Sequence, residues 1–205
     1  MSSELEHELR AGNTQRFGEL FLIHQPRLWQ TIHFRLNDRI RGRVDTDDVV
    51  QEVYLAAEKR LSHYLDGDFP SLFLWLRLIT AQVLSDIHRQ HLGTESRSVS
   101  RESGPTSTAG HTSICLSQRF VAHLTSPSQA VARDELIVQV RESLDAMTDL
   151  DREIVALRHF EELTNQEVAQ ELGITPKAAS IRYMRALERL RTILERIESL
   201  ENPSN

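Results

Sequence analysis

Between residues 164 and 196 the chain alternates helix-forming and helix-breaking chemistry on a spacing that leaves little freedom in how it folds. Thr164, with Glu167 three residues on, has the form of a capping box, in which hydroxyl and carboxylate satisfy the free N–H groups of a helix start. Val168, Ala169 and Leu172 follow as one apolar stripe at helical spacing. Gly173 stands where the chain has to leave that helix through positive φ, and Ile174 is placed to plug the corner. Thr175 is positioned to cap a second helix, with Pro176 in its first turn, where a missing N–H costs nothing. Ala179, Tyr183, Ala186 and Leu190 recur at i, i+4, i+7 and i+11 and form the inward face of this second helix. A short helix, a glycine corner and a longer helix in this order make a helix-turn-helix.

The second helix carries its charge on a neighbouring stripe. Ala178, Arg182, Arg185 and Arg189 share one spacing, and Lys177 lies near the N-terminal end, where a recognition helix meets base edges or phosphate. Arginine grips phosphate or reads guanine with two parallel hydrogen bonds. The residues expected to face duplex DNA are therefore Lys177, Ala178, Ser180, Ile181, Arg182, Arg185 and Arg189. A charge run is most often only a solvated face. The capped corner and the arginine stripe together favour nucleic acid.

The chain has 205 residues, room for one or two small domains. It is 40% hydrophobic and 26% charged, as soluble globular proteins are. Its 24 basic and 30 acidic residues give a net charge of −6. That balance excludes a nonspecific nucleic-acid coat but not a local DNA-reading patch, because the field follows charge placement. The signs are segregated. Arg35, Arg39, Arg41 and Arg43 precede Asp45, Asp47, Asp48 and Glu52, and a second basic cluster lies on the C-terminal helix. No apolar run is long enough to span a bilayer, and the acidic N-terminal stretch does not resemble a secretory signal. The single cysteine, Cys115, excludes an internal disulfide and a multi-cysteine metal site, which fits a reducing cytoplasm.

No βαβ unit and no useful strand alternation is present, so the fold is expected to be all-α: two small helical domains joined by a flexible linker, the C-terminal one a helix-turn-helix. The domains are expected at 1–92 and 128–200, with a Ser/Thr-rich linker at 93–127 whose central part, 97–112, carries no structure. Helices are expected near 4–24, 26–37, 46–62, 70–91, 129–146, 149–159, 165–172 and 176–198. In the N-terminal half, Asp45 or Thr46 caps a helix with acids in its first turn, favoured by the helix dipole, and Val49, Val50, Val53 and residues 55–57 form its apolar side. After the turn Asp66-Gly67-Asp68, the residues Leu72, Trp75, Leu76, Ile79, Val83 and Ile87 trace a helical core stripe.

These two segments, followed by the helix-turn-helix, resemble the bacterial sigma factors of the extracytoplasmic-function group. The family pattern has an acidic Asp-x-x-Asp-x-Val-Gln-Glu helix, matched by Asp45, Asp48, Val50, Gln51 and Glu52. It continues with a Phe-x-x-Trp-Leu-x-x-Ile helix ending in Asp-x-x-Arg, matched by Phe73 or Phe69 with Trp75, Leu76, Ile79, Asp86 and Arg89. Its helix-turn-helix is matched by Leu157, Glu167 to Ala169, Leu172 to Ile174, Arg182, Arg185, Ala186 and Leu190. The resemblance covers nearly the whole chain outside the linker. It implies a partner, core RNA polymerase, and a target, promoter DNA, with an anti-sigma factor as a further class of partner. It implies no cofactor, metal, small-molecule substrate, membrane insertion or catalysis. Asp45, Asp48, Gln51 and Glu52 are the implied polymerase contacts. Tyr64, Asp68, Phe69, Arg77, Gln82 and Arg89 are those implied for the minus-ten strand, and the recognition helix is implied to read the minus-thirty-five duplex. Gln82 departs from the family's usual Asn, and Ala178-Ala179-Ser180 from its usual Thr-Val-Lys, which shifts binding onto Lys177, Arg182 and Arg185. The alternatives are a helix-turn-helix regulator, which would normally carry a sensing domain ahead of its DNA reader, and a sigma-like decoy that does not support initiation.

Overall fold

The computed structural model describes residues 2–36, 38–91, 106–124 and 130–201. They are helical, with no strand among the described residues, and the chain divides into two compact units, Met1–Gly93 and Thr94–Asn205.

The N-terminal unit holds α1 (Ser2–Arg10), α2 (Arg16–Arg35), α3 (Asp38–Arg41), α4 (Thr46–Lys59), α5 (Leu61–Asp66) and α6 (Leu72–His91). Helices α2, α4 and α6 pack against one another, and α1 lies on α2. Helix α6 is apolar on most sides and is buried on most sides, from Leu72 through Trp75, Leu76 and Ile79 to Val83 and Ile87. Glu6 on α1 joins the distant ends of the unit: its carboxylate accepts from the Tyr64 hydroxyl and, at 3.0 Å, from the Leu72 N–H. An acid at the start of α6 also meets the positive end of the helix dipole.

Helix boundaries depart from the sequence expectation in the first half. The expected 4–24 helix breaks after Arg10, where Gly12 takes φ +99°, a conformation glycine adopts at little cost. The expected break before Pro26 does not occur; α2 runs through it. Proline removes one hydrogen bond, to the carbonyl four residues earlier. The buried stripe Phe17, Leu20, Phe21, Leu28, Ile32 keeps helical phase across Pro26, and Pro26 itself is exposed, so packing on both sides holds the helix together.

The C-terminal unit holds α7 (Thr106–Leu124), α8 (Ala130–Asp145), α9 (Asp149–Val155) continued by a wider π turn (Ala156–Phe160), α10 (Asn165–Leu172) and α11 (Pro176–Glu201). Helix α7 corrects the linker expectation. Residues 106–124 of the expected linker are a helix that packs on α8 and α9; residues 97–105 of the stretch expected to lack structure lie outside the described residues. Cys115, Leu116 and Val121 are buried. The hydroxyls that look linker-like in sequence serve as donors: Thr112 to Glu153 at 2.7 Å and Ser113 to Asp145 at 2.8 Å. Thr148 caps α9, accepting from the Asp151 N–H.

Arg152 ties the start of α9 to the end of α8. Its buried guanidinium donates to the carbonyls of Leu144 (2.8 Å) and Met147 (2.7 Å) and pairs with Asp149. Arg152→Met keeps the volume but takes the donor from the Met147 carbonyl and leaves the Leu144 carbonyl with only the Met147 N–H, and is expected to cost roughly 2–4 kcal/mol. Loss of amide-exchange protection in α8 and α9 measures it. In the other unit, burial pushes the His88 imidazole down to about 4. The unfolded chain takes up this proton below about pH 6.5, while the folded one excludes it until the pH nears 4. The contribution is therefore whole above about pH 6.5 and is lost as the pH falls towards 4. His88→Gln is expected to flatten this decline, worth about 1–3 kcal/mol, in urea unfolding followed by tryptophan fluorescence. The chain's 2 tryptophans, Trp29 and Trp75, both lie in the N-terminal unit and report on it.

Candidate nucleic-acid interface

The corner expected at Gly173 is built as its residues dictate. Thr164 and Glu167 complete a reciprocal capping box, with hydrogen bonds of 2.8 and 3.2 Å. Gly173 takes φ +64° and Ile174 N–H bonds back to Ala169. Thr175 Oγ1 accepts from Ala178 N–H at 3.2 Å and starts α11. Ala179, Ala186 and Leu190 are buried, and Tyr183 is half-buried beneath the Arg158 guanidinium, 5.4 Å from its ring centre. The outward side carries Lys177, Ile181, Arg182 and Arg185, all exposed, with Ala178 and Ser180 half-buried at its edges. Arg189 is exposed but its guanidinium pairs with the buried carboxylate of Asp151. Met184, absent from the expected set, is 56% exposed on this side. It lies one turn beyond Ile181, a spacing visible in the sequence once the buried stripe is fixed.

Helix α4 presents the acidic face. Asp45, Asp48, Gln51 and Glu52 are all exposed, while Val49, Val50, Val53 and Ala57 are buried behind them. Asp45 also works as the cap, accepting from Asp47 N–H at 3.0 Å. Asp47 accepts from Trp29 Nε1 at 3.0 Å, which ties α4 to α2. Leu55 corrects the expected apolar side: it is 52% exposed and shares a stripe with Asp48 and Glu52. The face is thus acidic with an apolar centre.

The residues expected for single-strand capture separate into three groups. Tyr64 and Arg77 are corrections, because neither reaches the surface. Tyr64 is fully buried, packs on Trp75 at 5.2 Å, and spends its hydroxyl on Glu6; burial pushes that hydroxyl's pKa up, with Glu6 beside it. Arg77 is only 7% exposed on α6. Asp68, Gln82 and Arg89 are exposed, with Arg89 paired to Asp86. Phe69 is half-buried, between the rings of His63 (5.4 Å) and Tyr64 (6.1 Å), and its carbonyl accepts from Arg10 at 2.7 Å. Gly67 holds this loop: a Cβ there would lie 2.5 Å from the Phe69 ring and 2.8 Å from the His63 carbonyl.

Gln82 opens onto a hollow of about 380 Å³ between α4, α5 and α6, lined by Lys59, Arg60, Ser62, His63, Trp75 and Leu78 among others. Arg60 donates to the Gln82 side-chain oxygen across it. The buried indole N–H of Trp75 has no hydrogen-bond partner among the described residues. The hollow combines two cations, an amide and an apolar floor, the elements that hold a phosphate and an unstacked base. Lys59 and Arg60 are missing from the sequence expectation. Their signal was two adjacent cations at the end of an otherwise acidic helix.

The family model described as "Sigma-70, region 4" matches residues 137–190, from within α8 into α11. Over 184 residues the chain is 28% identical to the ECF RNA polymerase sigma factor SigD of Mycobacterium tuberculosis, covering 90% of this chain and 79% of that protein. It is 27% identical over 194 residues to the RNA polymerase sigma factor CarQ of Myxococcus xanthus, covering 92% and 95%. Among solved structures, that of CnrH in complex with the cytosolic domain of CnrY covers 93% of this chain and 95% of its own, at 23% identity and a TM-score of 0.49. The matches to these curated relatives run through both units, and the chain is similar along most of its length to RNA polymerase sigma factors of the extracytoplasmic-function group.

Proposed function

We propose that this chain docks on core RNA polymerase through the acidic face of α4 and delivers it to promoters, with the C-terminal unit reading duplex DNA through α11. One observation carries this division of labour. The two exposed faces are opposite in sign and lie on separate units: Asp45, Asp48 and Glu52 on one, Lys177, Arg182 and Arg185 on the other. An acidic face repels DNA and suits a basic protein surface, whereas a cationic helix set behind a helix-turn-helix corner suits phosphate. The hollow beside Lys59, Arg60 and Gln82 supplies a place for the opened minus-ten strand, in the unit that meets polymerase. Phe69, on the α5–α6 loop, packs against His63 and Trp75, two residues that line the hollow. The chain itself performs no bond chemistry in this scheme; catalysis belongs to the polymerase. Its place of action is the cytoplasm, where that partner and its template are; no described helix is long and apolar enough to cross a membrane.

Reconstitution with core polymerase tests the scheme. A stable complex that initiates from specific sites is expected; complex formation without initiation from any genomic fragment would make the chain a decoy. The paired change Asp48→Lys and Glu52→Lys is expected to weaken core binding about tenfold or more, chiefly through slower association, since both charges are exposed. Duplex binding by the same variant should be unchanged. On the other unit, Arg182→Ala and Arg185→Ala are each expected to weaken duplex binding and to lower the salt-dependence slope by about 1 where a phosphate contact is lost. Titration of holoenzyme with promoter duplex over a range of salt measures both.

A further inference from the structure

Two large apolar side chains on α11 are not used by the fold. Ile181 is 43% exposed and Met184 56% exposed, although α11 buries Ala179, Ala186 and Leu190 against its own unit. At about 100° per residue, Lys177, Ile181, Met184 and Glu188 fall on the line opposite that buried stripe. They are therefore the side chains that project farthest from the core. Single exposed apolar residues are ordinary on any protein. Two of them, a turn apart on the most protruding line of a recognition helix, form a surface shaped to enter something.

The surrounding charge says what. Among the described residues, Lys177, Arg182 and Arg185 make no ion pair, while farther along the helix Arg189 pairs with Asp151 and Arg191 with Glu195. The first half of α11 thus keeps its cations for an outside partner and the second half uses them internally. Recognition helices enter the major groove by their N-terminal part. Arg182 and Arg185 run along one side of the apolar line and Lys177 heads it, where they can meet the phosphates at the edge of a groove. On the floor of that groove the main apolar feature is the C5-methyl group of thymine.

We infer that Ile181, with Met184 a turn further on, reads thymine methyl groups in the major groove of the upstream promoter element, making these two residues determinants of sequence preference. This rests on the C-terminal unit binding promoter duplex, as proposed above. The arginines beside them hold the backbone and tolerate many sequences; the apolar pair supplies a preference for thymine. The small side chains of Ala178 and Ser180 at the edges of the line leave room for α11 to seat deeply.

Deoxyuridine differs from thymidine only in lacking this methyl group. The test uses holoenzyme and a duplex that it enriches from a randomised library, with each thymine of the upstream element replaced in turn by deoxyuridine. For the unaltered chain, one or two positions are expected to lose ~2–5-fold in affinity, the effect of removing one buried methyl. With Ile181→Ala the thymine duplex should bind more weakly, and the deoxyuridine change at one of these positions should have no further effect. Met184→Ala should do the same at a second position. Both residues are exposed, so neither change endangers folding, which circular dichroism checks. Tight, salt-sensitive binding that ignores deoxyuridine at every position would overturn this inference and leave duplex reading standing. So would an enriched element without thymine. Failure to bind any duplex would overturn both. Weaker core binding by Ile181→Ala, with duplex binding unchanged, would assign the pair to a protein partner and overturn the inference as well.

Discussion

A chain built of helices leaves its unsatisfied backbone groups at helix ends, and each end needs a side chain, a turn or water to complete it. Much of this molecule is arranged around that requirement. Asp45 completes α4, Thr148 completes α9, Thr164 with Glu167 completes α10, and Thr175 starts α11. Glu6 serves the start of α6 from another helix altogether. The caps do more than add stability. A cap fixes where a helix begins, and so fixes which residues stand on its outer face. Had α4 begun a residue later or α11 a residue earlier, the position of its first turn against the rest of the unit would change, and with it the side chains available to a partner.

Charge placement follows from the same ends. Acids are favoured at the start of α4 by its dipole, and there they also become the exposed face of the N-terminal unit. Helix α11 carries no acid in its first turn, which keeps its leading face basic. Interior ion pairs then remove selected charges from the surface: Asp151 takes Arg189, and Asp149 takes Arg152. A net charge of −6 is compatible with DNA binding because the cations that remain outward in the C-terminal unit include a cluster on one half of one helix.

The helix-turn-helix was fully legible in the sequence, because each of its boundaries is set by local chemistry: a capping box, a glycine with positive φ, a threonine cap. The acidic helix α4 was legible for the same reason. What was not legible depended on packing at a distance. Pro26 reads as a stop, yet the apolar stripe on either side carries the helix across it. Residues 106–124 read as linker, since Ser and Thr are common there, but their hydroxyls bond to carboxylates on α8 and α9 that no local window contains. Tyr64 and Arg77 read as surface groups by residue type alone. Tyr64 is buried because Glu6, 58 residues earlier, reaches its hydroxyl. Lys59 and Arg60 gain meaning only from the hollow that α5 and α6 close beside them.

The two charged faces share a composition despite opposite signs. On α4 an exposed Leu55 shares a stripe with Asp48 and Glu52; on α11 Ile181 and Met184 lie beside Lys177, Arg182 and Arg185. Exposed charges act at long range, steer encounter and fall off with salt, but they discriminate weakly between partners of the same sign. An apolar side chain acts only on contact, and contributes only where the partner offers a complementary apolar group that also loses water. A face with both can be reached quickly and still reject most surfaces it meets. For a protein that has to find one large partner among many basic proteins, and one short sequence in a long polyanion, charge alone would give encounter without choice. In the scheme proposed above, the apolar centres place the choice at a few side chains, and those side chains are exposed because the fold has no use for them.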